Sequence, residues 1–214
     1  MGGRGNQASR NLTYEKWTDA DAKREYSKYG YDVTSKEWKA ATKYTGGQYY
    51  TSIQRALFSG EMMQDTYRDG RLDMSPYIKA MDNSMRPLSA NVELSRSITY
   101  DNWKNSVGVD VDTVQRIVNG IDTNTKALDK TIGKSFNIKG FTSTSYNEHQ
   151  NAMAEGQVLL KLQTPKGTQA VVTDNKMESE IVLHRNLRYK ITGYKVRELG
   201  VNRKQIVFTA KVLN

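Results

Sequence analysis

Two periods of apolar residues divide this chain. Before Val92 the spacing is helical. Thr34, followed three residues later by Glu37, fits a capping box and predicts a helix start; Trp38 and Ala41 then fall on one face, and Gly46-Gly47 stops the run. Tyr50, Ile53 and Leu57 give a second helix its apolar face, ended near Gly60. A third is predicted through Pro76-Tyr77-Ile78-Lys79-Ala80-Met81. Proline is tolerated in a first turn, and the residue before Pro87 is pushed out of the helical region, so this helix closes before Arg86-Pro87.

From Val92 onward the pattern shortens to alternation and β-branched runs. Strands are predicted for Val92 to Ile98, Gln157 to Leu162, Gln169 to Val172, Glu180 to Leu183, Tyr189 to Thr192 and Gln205 to Val212. Turn signals separate them at Pro165-Lys166-Gly167 and Asp174-Asn175, while Val111 to Asn119 reads as a helix. Helices first and strands second predict an α+β fold, a helical layer on a mixed, mainly antiparallel sheet. Residues 1–12, rich in Gly, Asn and Arg without periodicity, read as a mobile N-terminal arm. No repeat or low-complexity linker divides the remainder, so 13–214 is expected to form a single domain.

Composition narrows the chemistry. With 214 residues, 37% of them hydrophobic and 26% charged, the chain is long enough for a real core, and its surface is polar. No run approaches the roughly 18 apolar residues of a membrane span. Met-Gly-Gly-Arg-Gly-Asn lacks the apolar centre of a signal peptide, and Asn6 stands where myristoylation wants Ser or Thr. The expected location is therefore the cytoplasm, or a destination reached by dedicated secretion or phage injection. Zero cysteines exclude disulfides, thiolate catalysis and cysteine-bound zinc. With His149 and His184 the only histidines, neither a metal site nor a Ser-His-Asp triad is expected. The net charge of +9 is concentrated between Arg185 and Lys211, where Glu198 is the only acid. Two readings fit that segment: a solvated strand face, or a docking surface for an acidic protein or nucleic acid.

Three groups of residues carry candidate chemistry. On a strand, Arg96 shares a face with Val92, Leu94 and Ile98, and a guanidinium there needs an anionic partner from the protein or from a ligand. Ser143-Thr144-Ser145 follows Gly140-Phe141, and Glu178 and Glu180 share a face if a strand begins at Glu178. Carboxylates two residues apart lie on the same side of a substrate bond, unlike the flanking pair of a glycoside hydrolase. They suit a division of labour, one steadying an oxocarbenium-like ribose and the other preparing a nucleophile. A leaving group that departs neutral from a cation needs no acid, as nicotinamide does from NAD. Each group also has a plain reading: a structural ion pair, an exposed hydroxyl strand, a solvated Glu-x-Glu face.

Their order and surroundings go further. Tyr44-Thr45-Gly46 followed by Tyr50, Ile53 and Leu57, then Leu94-Ser95-Arg96-Ser97, Gly140 through Ser145, Glu178 through Leu183 and Tyr189 through Gly193 span residues 35–195. Together they resemble the mono-ADP-ribosyltransferases of the arginine, Ser-Thr-Ser, glutamate group, which includes binary-toxin enzyme components and phage and bacterial effectors. The resemblance implies that family's two-sheet core, with NAD as substrate and a protein acceptor. It implies that Arg96, Ser97, Gly140, Ser143, Thr144, Ser145 and Glu180 bind NAD, Arg96 at the diphosphate and Ser143 at the nicotinamide ribose. Glu180 would stabilise the oxocarbenium, Glu178 would activate an arginine acceptor, and residues 174–177 would form the loop that meets the target. The chain departs from the pattern in having Ser95 and Ser97 around the arginine, and no aromatic between Val171 and Met177. An NAD glycohydrolase, a non-catalytic basic binding module and a nucleic-acid acceptor remain as alternatives.

Overall fold

The structure is a computed structural model that describes residues 12–60, 72–98, 111–150, 158–173, 179–200 and 203–213. Apart from Leu12, the expected N-terminal arm lies outside the described residues, as does the turn signal Asp174-Asn175.

Four helices come first: α1 Asp19–Tyr29, α2 Lys36–Thr45, α3 Tyr50–Ser59 and α4 Ser75–Ser84. The α1 helix has no counterpart among the predicted elements. Its capping box is built from Thr18 and Asp21, the Asp21 amide donating to Thr18 Oγ1 at 3.3 Å and the Thr18 amide to Asp21 Oδ2 at 2.8 Å. At α2 the expected Thr34/Glu37 box is corrected to a single cap one residue later. The Trp38 amide donates to Ser35 Oγ at 3.0 Å, because the Thr34 hydroxyl is already held by Asp32 Oδ1 at 2.7 Å. Helices α3 and α4 run as predicted, α3 closing on Gly60 in the left-handed region (φ 80°) and α4 opening with Pro76 in its first turn.

Among the described residues nine strands follow: β1 Arg86–Pro87, β2 Val92–Ser97, β3 Ser135–Ile138, β4 Thr142–Ser145, β5 Val158–Thr164, β6 Gln169–Val172, β7 Glu180–Leu183, β8 Leu187–Gly200 and β9 Arg203–Leu213. Helices α5 Val111–Val118 and α6 Lys126–Asp129 lie between β2 and β3. The strand order is β1-β6-β7-β4-β2-β5-β9-β8-β3, with β5 and β9 parallel and every other pair antiparallel. This is the predicted mixed, mainly antiparallel α+β architecture. The two-sheet division, however, is replaced by one hydrogen-bonded order among the described residues. Its halves meet at a narrow seam: β2 pairs with β5 over six residues but with β4 only through Ser95 and Ser145. Twist accumulated on each side of that pair separates the two strands.

Alternation along the strands feeds two cores. Ile181 and Leu183 of β7 join Ala170, Val172, Leu94, Tyr189 and Phe208 in one core, which α5 closes with Val114 and Ile117. Val182 and Val171 point the other way, meeting Phe141 and the buried faces of α2, α3 and α4: Trp38, Tyr44, Ile53, Leu57, Ile78 and Met81. All four residues of β7 are buried. At roughly 1.5–3 kcal/mol for each fully buried aliphatic side chain, this strand is a stiff mount for whatever its first residue does. That first residue is Glu180.

Candidate active site

Pairing of β4 with β7 sets Ser145 opposite Glu180 and Ser143 opposite Val182. Ser143 and Glu180 are thus diagonal neighbours on one face, and the Ser143 hydroxyl donates to Glu180 Oε1. The Glu180 residue is only 3% exposed, so its charge is held by local polar groups rather than by bulk water. Across the seam, Arg96 of β2 donates from Nη1 to the Ser143 carbonyl oxygen at 2.8 Å. One backbone unit therefore sits between the guanidinium and the buried carboxylate.

The three residues of the hydroxyl strand are not equivalent. Thr144 Oγ1 donates to the Ile181 carbonyl at 2.5 Å, locking β4 to β7. Ser145 Oγ donates to the Asn147 carbonyl at 2.7 Å and accepts from its amide at 3.1 Å, which shapes the turn after the strand. Only Ser143 directs its hydroxyl to the carboxylate. Ser95, one of the departures around the arginine, has a seam function: its Oγ donates to the Ser145 carbonyl at 3.2 Å.

A cleft of about 270 Å³ joins these groups, lined by Arg96, Ser97, Ser143, Thr144, Ser145 and Glu180 together with Tyr44, Thr45, Gly47 and Tyr50. The last four were legible as part of the helical pattern but not as site residues. Their signal was the break at Gly46-Gly47, which brings the end of α2 and the start of α3 to the cleft. Tyr44 and Tyr50 present rings 5.2 Å apart between centroids. Burial pushes the Tyr44 hydroxyl well above its ordinary pKa, Tyr50 and Glu180 adding to the effect against Arg96. It therefore stays protonated and donates to the Phe141 carbonyl at 3.3 Å while accepting from Gln54 Nε2 at 3.0 Å.

One expected site residue stands apart from this group, and another is outside the described residues. Gly140 is buried beside α3 and does not line the cleft; a Cβ there would lie 1.8 Å from Gln54 Oε1. Glu178 lies outside the described residues. Strand β7 begins at Glu180, and Ser179 just before it is left-handed, with φ 49°. The loop expected at residues 174–177 also lies outside the described residues.

A larger hollow of about 470 Å³ adjoins the cleft and shares Ser145. Three of its charges are engaged with one another, Lys161 reaching Glu148 at 2.7 Å and Glu93 at 3.5 Å. The smaller cleft holds the buried carboxylate beside a guanidinium and an aromatic pair, and is the candidate site. Among the described residues no cluster of His, Cys, Asp or Glu could hold a metal ion, and no helix is long and apolar enough to cross a membrane.

A family model described as ADP-ribosyltransferase exoenzyme matches residues 15–214. The chain belongs to the ADP-ribosyltransferase exoenzyme family. As a member it is an NAD-dependent mono-ADP-ribosyltransferase, with NAD as substrate. No curated protein sequence matches the chain significantly. Solved structures share the fold. C3stau2 from S. aureus, solved with NAD, has a TM-score of 0.69 at 20% identity, covering 94% of this chain and 99% of its own. Plx2a, an ADP-ribosyltransferase toxin from Paenibacillus larvae, has a TM-score of 0.67 at 23% identity, covering 90% and 93%. BECa, the ADP-ribosylating toxin of a C. perfringens binary enterotoxin, solved with NADH, has a TM-score of 0.68 at 20% identity. That match covers 90% of this exoenzyme-family chain but 46% of BECa, so the chain spans about half the length of that toxin component.

The donor set of the cleft fits the substrate. A guanidinium suits a diphosphate, a hydroxyl-bonded buried carboxylate suits a ribose with developing positive charge, and the half-buried Tyr50 ring on the cleft wall suits a planar ring.

Proposed function

We propose that this exoenzyme-family ADP-ribosyltransferase modifies an arginine side chain of a protein and is delivered to its target in the manner of a toxin. In this reading Arg96 holds the NAD diphosphate, with Ser97, Thr144 and Ser145 along the same wall and Gly140 contributing by letting Gln54 pack beneath it. Ser143 orients Glu180, and Glu180 stabilises positive charge on the nicotinamide ribose. The bond from ribose C1′ to the nicotinamide nitrogen breaks, its electron pair leaving with neutral nicotinamide. A guanidine nitrogen of the acceptor forms the new bond to C1′, and its proton passes to the Glu178 carboxylate.

The observation that carries the reading is the Arg96–Ser143–Glu180 chain of contacts within one cleft. A fixed carboxylate beside the reacting carbon acts mainly on the transition state, where charge develops, and little on the neutral product. Glutamate rather than glutamine at position 178 supports arginine as acceptor, since a guanidinium must lose a proton to attack.

The test is mass spectrometry of lysate proteins after incubation with purified enzyme and NAD, with Glu180→Gln as control. ADP-ribose on arginine, absent from the control, is the expected result. Nicotinamide release with no modified protein would instead make the protein an NAD glycohydrolase. Modified nucleic acid, removed by nuclease and not by protease, would move the acceptor to another class. For Glu178→Ala, protein modification should disappear while slow NAD hydrolysis persists; equal loss of both overturns its acceptor role.

A further inference from the structure

The basic C-terminal segment resolves into two populations. Arg185 is held by Asp82 at 2.8 Å, Arg197 by Glu148 at 2.6 Å and Lys204 by Glu198 at 3.6 Å. Arg188, Lys190, Lys195 and Lys211 have no ion-pair partner among the described residues, and all but half-buried Lys211 are exposed.

Register places these four on one sheet face. Lys190 pairs directly with Lys211, Arg188 stands two residues before Lys190, and beyond the irregularity near Thr192 Lys195 returns to that face by pairing with Val207. The reverse face carries Tyr189, Ile191, Ala210 and Val212 into the core. Like charges directly opposite on antiparallel strands are destabilising, so the Lys190–Lys211 pair adds nothing to folding by itself. The track from Arg188 to Lys195 is roughly 23 Å long at the usual rise of a strand.

What surrounds the cations selects the partner. Ser135 pairs with Lys190, Asn137 with Arg188 and Gln163 with Lys211, so hydroxyl and amide groups flank the positive charges. Protein interfaces are built around an apolar, aromatic-rich centre, and the described residues of this part of the face include no exposed aromatic. Lys and Arg mixed with Ser, Asn and Gln is instead the donor set that contacts phosphates. Among the described residues the face holds no exposed ring as a platform for unpaired bases, which favours a duplex over a single strand.

We propose that the face carrying Arg188, Lys190, Lys195 and Lys211 binds the phosphate backbone of double-stranded DNA without reading its sequence. A register row runs from Thr209, beside Lys211, through Lys161, Ser95 and Ser145 to Glu180. Four strand spacings make that roughly 19 Å, so a bound duplex lies on the sheet face that leads to the catalytic cleft. A target protein already on DNA would thereby be brought within reach of the enzyme.

The test is fluorescence anisotropy of a labelled 20-base-pair DNA duplex against the full chain across a salt series. Wild type should bind at 50 mM salt and weaken steeply as salt rises. Lys190→Gln with Lys211→Gln should bind about tenfold more weakly, with the log–log salt slope shallower by roughly two, as expected for the loss of two phosphate contacts. Lys36→Gln with Lys39→Gln on α2 makes the same change in net charge and should stay within about twofold of wild type. Thermal melting of both variants checks that each is folded. The proposal is overturned if wild type does not bind, if the α2 pair costs as much as the β8–β9 pair, or if polyglutamate at equal charge concentration displaces the duplex. Loss of ADP-ribosyl transfer in a Glu180 variant that still binds DNA separates this proposal from the proposed activity.

Discussion

Arg96 reaches across the seam of the sheet to the carbonyl oxygen of Ser143, Nη1 to O at 2.8 Å, so the residue expected at the NAD diphosphate also braces the strand that positions Glu180. Lysine can supply the charge but not the planar fork that serves two partners at once. Arg96→Lys should raise KM for NAD by roughly tenfold to a hundredfold, the range for losing a charged hydrogen bond. Nicotinamide release measured over a range of NAD concentrations checks this; an unchanged KM would remove Arg96 from the binding site.

Glu180 keeps its shape but loses its charge in Glu180→Gln. Turnover should fall by roughly a hundredfold to a thousandfold or more, with KM for NAD changed little, because the lost term acts on the transition state. Single-turnover release of nicotinamide makes the comparison. A parallel rise in KM would mean that the carboxylate serves binding instead.

Gly140→Ala should destabilise the protein by about 1–3 kcal/mol, the usual cost of forcing extra volume into a packed site. The new Cβ would lie 1.8 Å from Gln54 Oε1, and Gln54 cannot swing away without losing its 2.7 Å bond to the Phe141 carbonyl. Adding Gln54→Ala removes the obstacle, so the double variant should be less destabilised than the two single effects summed. Urea unfolding of the four proteins gives the coupling; strict additivity would refute the clash.

His184 and Asp82 should make stability depend on pH on both sides of neutrality. Asp82 lies 3.3 Å from His184 Nε2, and its hydrogen bond raises the histidine pKa against the opposing effect of burial. A raised histidine stabilises the fold fully below its unfolded value of about 6.5, and that contribution is lost as pH rises through the folded value. For Asp82, burial pushes upward but hydrogen bonds from His184 and Arg185 outweigh it and leave the pKa lowered. Its contribution is present above the unfolded value of about 3.9 and is lost as pH falls through the folded one. Urea midpoints for wild type should therefore fall on moving to either side of that window, and those of Asp82→Asn should vary less. A wild-type midpoint that climbs with pH above 6.5 would contradict the assignment.

Periodicity revealed the parts of this fold that have a strong apolar face and little else. The α3 and α4 helices bury Ile53, Leu57, Ile78 and Met81 at helical spacing, β2 alternates Val92 and Leu94 with polar residues, and β7 and β9 carry β-branched pairs, so each was legible. The α1 helix buries only Ala22 and Glu25 and offers no apolar stripe. Strand β4 is Thr-Ser-Thr-Ser, whose hydroxyls alternate with nothing, and β3 is too short to declare a period. At the site, the order of Arg96, Ser143 and Glu180 was visible in the chain, but their contacts were not. Those contacts depend on β4 lying between β7 and β2, a long-range pairing that local spacing does not encode. The left-handed backbone of Ser179, directly before β7, was likewise not announced by any residue pattern.

The single Ser95–Ser145 pair joining the halves of the sheet has a mechanical meaning. Arg96 rides on one plate, Ser143 and Glu180 on the other, and one residue pair is a compliant hinge compared with the six-residue ladder between β2 and β5. In the proposed reading, a dinucleotide held at its diphosphate by Arg96 and at its nicotinamide ribose by Glu180 would span that joint as a strut. Substrate binding would then stiffen the sheet along the line where it is weakest, and the catalytic geometry would be completed by the molecule on which it acts.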